Sequence, residues 1–122
     1  MRTGSESGWT FVESIVVIAI VVILSGTVAF SASDYLDRAR VASATAQVNA
    51  ISVALRVYAM DTGTYPTRAQ GVGALWARPL LVPVPEGWRG PYTDRPPGAD
   101  PWGEPFVYER PGPGGLPFAV VS

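Results

Sequence analysis

The chain has 122 residues, room for one domain, and a formal net charge of −1 from nine basic and ten acidic side chains. Every basic residue is arginine, and lysine, histidine and cysteine are absent, which removes thiolate and imidazole nucleophiles, Ser-His-Asp relays, ordinary zinc sites, disulfides, Schiff bases and P-loops. The near-neutral balance also argues against nucleic acid, whose phosphates are bound by clustered cations.

From residue 9 to 32 the only ionisable side chain is Glu13, and residues 15–24 (IVVIAIVVIL) are uninterrupted aliphatic. As a helix at 1.5 Å per residue this segment is roughly 36 Å long, enough to cross a hydrocarbon core of about 30 Å. Arg2 precedes it and few cations follow closely, which puts the N-terminus in the cytoplasm. Further on, Val41, Ala44, Val48, Ile51, Leu55 and Tyr58 recur at helical spacing, with Arg38, Thr45, Asn49, Ser52 and Arg56 on other faces. No proline lies between Trp9 and Met60, and Gly26 is the only glycine there. The expectation is one helix of about 50 residues, apolar first and amphipathic afterwards, ended at Asp61-Thr62-Gly63 with Gly63 as a left-handed C-cap.

The prolines lie from Pro66 onward, so long helices are not expected there. Thr67-Arg68-Ala69-Gln70 fits a capping box that opens a short helix to about Ala77, stopped by Pro79. Phe106-Val107-Tyr108 and Phe118-Ala119-Val120-Val121, separated by Pro111-Gly112-Pro113-Gly114-Gly115, read as an antiparallel pair, with a further strand near Tyr92. This sheet would cover the apolar stripe of the helix. The fold class is therefore α+β: a long N-terminal helix, membrane-spanning then amphipathic, packed against a small antiparallel sheet.

Glu13 is the most informative residue. A carboxylate at the centre of a membrane costs about 2.5–3.5 kcal/mol on insertion scales, so it ordinarily has a partner and a function. Together, Gly8-Trp9-Thr10-Phe11-Val12-Glu13 and the aliphatic run resemble the class III signal of type IV filament subunits. That resemblance implies cleavage by a prepilin peptidase between Gly8 and Trp9, methylation of the new Trp9 amine, and pairing of Glu13 with the N-terminus of a neighbouring subunit. It divides the chain into a leader (1–8), a transmembrane and filament-core helix (9–33), the amphipathic half of that helix (34–62) and a globular head (63–122).

Asp61-Thr62-Gly63-Thr64-Tyr65-Pro66-Thr67, Gln70-Gly71 with Ala74-Leu75, Gly87-Trp88-Arg89-Gly90-Pro91-Tyr92, and Asp100-Pro101-Trp102-Gly103-Glu104-Pro105-Phe106 with Tyr108 occur in this order. With the signal, they resemble the major pseudopilins of type II secretion systems from Gly8 to Ser122. The resemblance implies a structural subunit with no catalytic residues, polymerising into a periplasmic filament that drives folded proteins across the outer membrane. Its implied partners are further copies of itself, minor pseudopilins, the prepilin peptidase, the inner-membrane assembly platform and the secretion ATPase. Before assembly it would be a single-pass protein of the bacterial inner membrane, with its N-terminus cytoplasmic. Tyr65-Pro66 and Asp100-Pro101-Trp102-Gly103 are expected as turn chemistry and aromatic core.

Three departures stand out. The proline usual 17 residues after the Glu is Phe30, and the glycine usual nine residues after it is Val22, so any loosening of the stem is expected at Ser25-Gly26-Thr27. In the family, calcium sits in the last loop. Leu116 matches a position that offers its backbone carbonyl, but the expected aspartate after the Phe is Ala119, and the chain ends at Ser122 directly after a predicted strand, as a truncated chain would. Against six to eight oxygen ligands, that calcium set is incomplete as the sequence stands.

Other readings compete. A secretory signal cleaved near Ser31-Ala32-Ser33 would release a soluble domain from Asp34. An enzyme could use Asp100 and Glu104 as an acid/base pair, although both lie in a Pro/Gly turn without an accompanying nucleophile or phosphate loop. A type IV or competence pilus subunit would share the stem; such heads often carry a C-terminal disulfide, which this chain cannot form.

Overall fold

The computed structural model describes residues 3–122, with side chains from Trp9 onward. Helix α1 spans Thr3–Thr62; a 3-10 turn follows at Val72–Leu75, then strand β1 at Val107–Glu109, a second 3-10 turn at Pro113–Gly115 and strand β2 at Ala119–Val121. The chain forms two compact units, Met1–Ala39 and Arg40–Ser122.

In the first unit every described side chain from Trp9 on is exposed, including Phe11, Ile18 and Phe30 at 69%, 62% and 84%. Its hydroxyls are turned back onto the helix: Ser14 donates to the Thr10 carbonyl at 2.8 Å, Thr27 to Ile23 at 3.1 Å and Ser31 to Thr27 at 3.2 Å. That leaves few polar groups for an apolar surrounding to desolvate. The helix runs unbroken through Val22, Gly26 and Phe30.

The second unit is built on the amphipathic half of α1. Of the predicted stripe, Ala44, Ile51, Leu55 and Tyr58 are buried, joined by Ala54, while Val48 is half-buried and Val41 is 55% exposed. Gly63 (φ 82) caps α1, its N–H donating to the Ala59 carbonyl at 2.8 Å. The capping box forms as expected, with the Thr67 N–H on Gln70 Oε1 at 2.9 Å and the Gln70 N–H on Thr67 Oγ1 at 3.2 Å. It opens only one turn. Gly71 at φ 63 ends it and the chain continues as the Val72–Leu75 3-10 turn, because two glycines in three residues remove the incentive to extend a helix.

Strands β1 and β2 pair antiparallel, with Val107 opposite Val121, Tyr108 opposite Val120 and Glu109 opposite Ala119. The expected strand near Tyr92 does not form. Its N–H goes to the Leu75 carbonyl at 2.7 Å, and the only bridge outside the two strands among the described residues pairs Ala99 with Pro105; Pro91, Pro96 and Pro97 withhold the donors a ladder needs. The stripe is therefore covered by Tyr108 from the sheet together with Ala74, Leu75, Trp88 and Tyr92. Tyr92 stands edge-on to Tyr58 and to Trp88, at centroid distances of 5.7 and 5.8 Å. Gly87 lies against the end of α1 so closely that a Cβ there would collide with the Asp61 carbonyl.

Tyr108 locks the sheet to the chain after α1, its hydroxyl donating to the Pro66 carbonyl at 2.7 Å. Burial, opposed by the nearby Arg110 charge, pushes its pKa from 10.0 up to about 12. The folded state thus holds a proton that the unfolded chain releases near pH 10, so this stability is intact below pH 10 and lost as pH rises toward about 12. Melting temperature is expected to fall across that window, and Tyr108→Phe is expected to flatten part of the fall in a pH series of thermal melts.

Candidate functional site

The residues expected to carry function fall in both units. Gly8, Trp9 and Glu13 lie in consecutive turns of α1. Met1 and Arg2 of the expected leader lie outside the described residues, and residues 3–8 are described only as helical backbone. Trp9 is 73% exposed, and Glu13 is exposed with no hydrogen-bond or ionic partner among the described residues. Four residues apart, Trp9 and Glu13 share a helix face. The segment that follows is long and apolar enough to cross a membrane, and none of its side chains is buried within the chain. The arrangement is one acid on an otherwise uncharged, exposed apolar helix segment.

In the second unit the ordered blocks act as turns and clamps. One Asp100 oxygen, Oδ1, accepts from the N–H groups of Trp102 and Glu104 at 3.0 and 2.9 Å, and Oδ2 accepts from the Ser122 hydroxyl at 2.7 Å. Gly103, at φ 86, completes the turn with its N–H on the Asp100 carbonyl. The Ser122 hydroxyl and these N–H groups hold the Asp100 carboxyl below its usual range, against the opposing effect of burial. Asp100 is thus committed to a turn, while Glu104 is exposed. Trp102, expected in the aromatic core, is instead 49% exposed and outside the cluster around Leu55, its backbone N–H held in the Asp100 turn. Tyr65-Pro66 does behave as expected: Pro66 is fully buried and Tyr65 packs on Phe118 at 4.9 Å.

Arg110 was not foreseen from sequence. Its guanidinium donates to the Tyr65 carbonyl at 2.7 Å and to Thr64 Oγ1 at 2.9 Å, tying the start of the hairpin loop to the segment after α1. A lone arginine before a proline carries no signal for a contact 45 residues away.

Among the described residues the last loop gathers no cluster of acidic side chains that could hold a calcium ion. The Leu116 carbonyl accepts from the Gly112 N–H at 2.9 Å, closing the turn around Pro113–Gly115. Ala119 carries a methyl group where the resemblance implies an aspartate, and no group of three or more Asp, Glu, His or Cys able to hold a metal occurs among the described residues.

Residues 32–122 match the family profile described as type II secretion system (T2SS), protein G. The chain belongs to this family. It is 37% identical over 123 residues to type II secretion system core protein G of Pseudomonas aeruginosa, an alignment covering 100% of this chain and 85% of that protein. Against core protein G of Vibrio cholerae identity is 35% over 112 residues, covering 91% and 75%. Among solved structures it resembles the major pseudopilin from the type 2 secretion system of enterohaemorrhagic Escherichia coli, with a TM-score of 0.60 and 32% identity over 66% of this chain and 71% of that one. These matches to protein G favour the pseudopilin reading over a type IV or competence pilus subunit.

Proposed function

We propose that this protein G family member is the structural subunit that polymerises into the pseudopilus, a periplasmic filament driving folded proteins across the outer membrane. The observation that carries the reading is the exposed apolar half of α1 with its single carboxylate, Glu13, which has no partner among the described residues, attached to a separately packed second unit. Such a rod suits lipid before assembly and the core of a filament afterwards. Within lipid the hydrophobic term shrinks, so close packing and the Glu13 pairing supply the cohesion between rods.

In this reading a prepilin peptidase cuts between Gly8 and Trp9, and the new Trp9 amine is methylated. The subunit waits in the inner membrane with its N-terminus cytoplasmic, then joins other copies and minor pseudopilins through the assembly platform and its ATPase. No catalytic residue and no nucleic acid enters this scheme. Deleting the protein should abolish export of folded cargo while leaving surface pili intact; export that continues would refute the function.

Gly8→Val should block processing, because a branched side chain replaces the hydrogen the cleavage pattern requires. The expected result is a membrane protein that keeps its eight-residue leader, visible by mass spectrometry, and no filaments. Normal trimming of this variant would place the cut elsewhere.

A further inference from the structure

Between Pro79 and Pro85, both buried, the second unit carries an apolar knob: Leu80, Leu81 and Val82 are 89%, 55% and 86% exposed. The knob is built rather than loose. Gln70, held in the capping box, donates from Nε2 to the Leu81 and Pro83 carbonyls at 2.8 and 2.9 Å, and Arg78 Nε donates to the Pro85 carbonyl at 3.1 Å. Pinned carbonyls keep these side chains from folding inward, and a fixed, exposed apolar cluster ordinarily marks an interaction surface.

A second feature on the same unit matches it. A groove of about 280 Å3 is lined by Val41, Ala44 and Val48 of α1 and by Trp102, with Thr45 and Asn49 as the polar part of its lining. Ser122 completes the lining, and no Asp, Glu or Arg side chain is part of it. Trp102, half-exposed and set by the Asp100 turn, is the kind of preordered aromatic that anchors interfaces. The knob leads directly into Gly87, which abuts the Asp61 end of α1, whereas the groove lies on α1 roughly 20 Å back along the helix axis.

We propose that the Leu80-Leu81-Val82 knob of one copy seats in the Val41-Ala44-Val48-Trp102 groove of a second copy. The occupant follows from charge and symmetry. An uncharged knob suits this groove, which no charged side chain lines, better than the larger one of about 490 Å3 beside Tyr92, whose lining includes Asp94 and Arg95, charges that an apolar insert would strip of water. Because knob and groove are different surfaces of one unit, the contact is heterologous. A heterologous contact that does not close on itself propagates as an open helical filament. The inference rests on the filament reading and adds a contact between heads to the packing of stems.

The absence of cysteine makes the test direct. A full-length Val82→Cys/Asn49→Cys double variant is assembled in the membrane, its filaments are imaged, and they are then oxidised. The expected result is a ladder of covalent dimers, trimers and higher species, with neither single variant giving a ladder. Filaments without a ladder, Val82→Cys dimers as abundant as those of the double variant, or Val82→Cys captured by a different protein would each overturn the contact while leaving the filament reading intact. If even the unsubstituted protein forms no filaments, both fall. Separately, Leu80→Asp/Val82→Asp should lower filament yield at least about tenfold with thermal unfolding unchanged, since both sites are exposed; an undiminished yield would also overturn the contact.

Discussion

Glu13→Ala is expected to leave the protein inserted in the membrane and to abolish filaments and export. Removing the carboxylate relieves about 2.5–3.5 kcal/mol of insertion cost, so membrane fractionation should show at least as much inserted protein. Assembly goes the other way. Each subunit added to a growing filament would bury an amino terminus facing no acid, and breaking one partner of a buried pair costs about 3–5 kcal/mol. At about 1.4 kcal/mol per tenfold, that is roughly a hundredfold or greater loss in subunit association. Glu13→Gln separates charge from shape: it keeps the side chain's length and hydrogen-bonding ends and should fail as well. Normal filaments from either variant, counted by electron microscopy and matched by export of a reporter, would remove the pairing role.

Leu55→Ala is expected to destabilise the second unit without touching the first. Leu55 is 0% exposed, between Ile51 and Tyr58 on the buried face of α1 and within the cluster that includes Leu75 and Tyr108. Truncating a fully buried leucine costs about 2–5 kcal/mol through lost transfer energy and the cavity left behind. For a unit of this size that lowers the melting temperature by on the order of 10 °C or more. The melt is followed in detergent by near-ultraviolet circular dichroism, which reads Tyr58, Trp88 and Tyr92. Leu24→Ala, at a site 59% exposed in the apolar half of the helix, is the contrast and should leave that melt unchanged. A Leu55→Ala protein melting with the parent would mean that the stripe is not the core.

These two expectations draw on features of different legibility. The helix was readable because its determinants are local and repeated: an apolar run, a 3-and-4 spacing from Ala44 to Tyr58, no proline, and a glycine stop at Gly63. Strands β1 and β2 were readable for the same reason, as short β-branched and aromatic segments around a Pro/Gly loop. What failed was decided by tertiary competition. Thr67 and Gln70 form their reciprocal bonds, yet Gly71 and Gly73 turn the predicted helix into a single turn and a 3-10 segment. Tyr92 has strand character, but Leu75 takes its N–H and the neighbouring prolines deny it a ladder. Trp102 looked like core because tryptophan is large and apolar; Asp100 sets its backbone, and the ring ends half in solvent.

The site was legible to a different depth. Glu13 stands out in any hydropathy pattern, whereas Gly8 and Trp9 are singled out only by the resemblance to the class III signal. For Leu116 the resemblance points to its backbone carbonyl, which accepts from the Gly112 N–H in the turn. The knob at residues 80–82 left no trace, since a Leu-Leu-Val segment between prolines reads as buried; only the bonds from Gln70 and Arg78 reveal that it is held outward.

The central claim is that this chain is a processed, membrane-held filament subunit, and the intact mass of the mature protein purified from membranes tests it most directly. The account predicts a chain beginning at Trp9 and carrying one added methyl group on its amino terminus. A chain beginning at Asp34 would contradict it, because the apolar half of α1 and Glu13 would then have been discarded as a secretory signal.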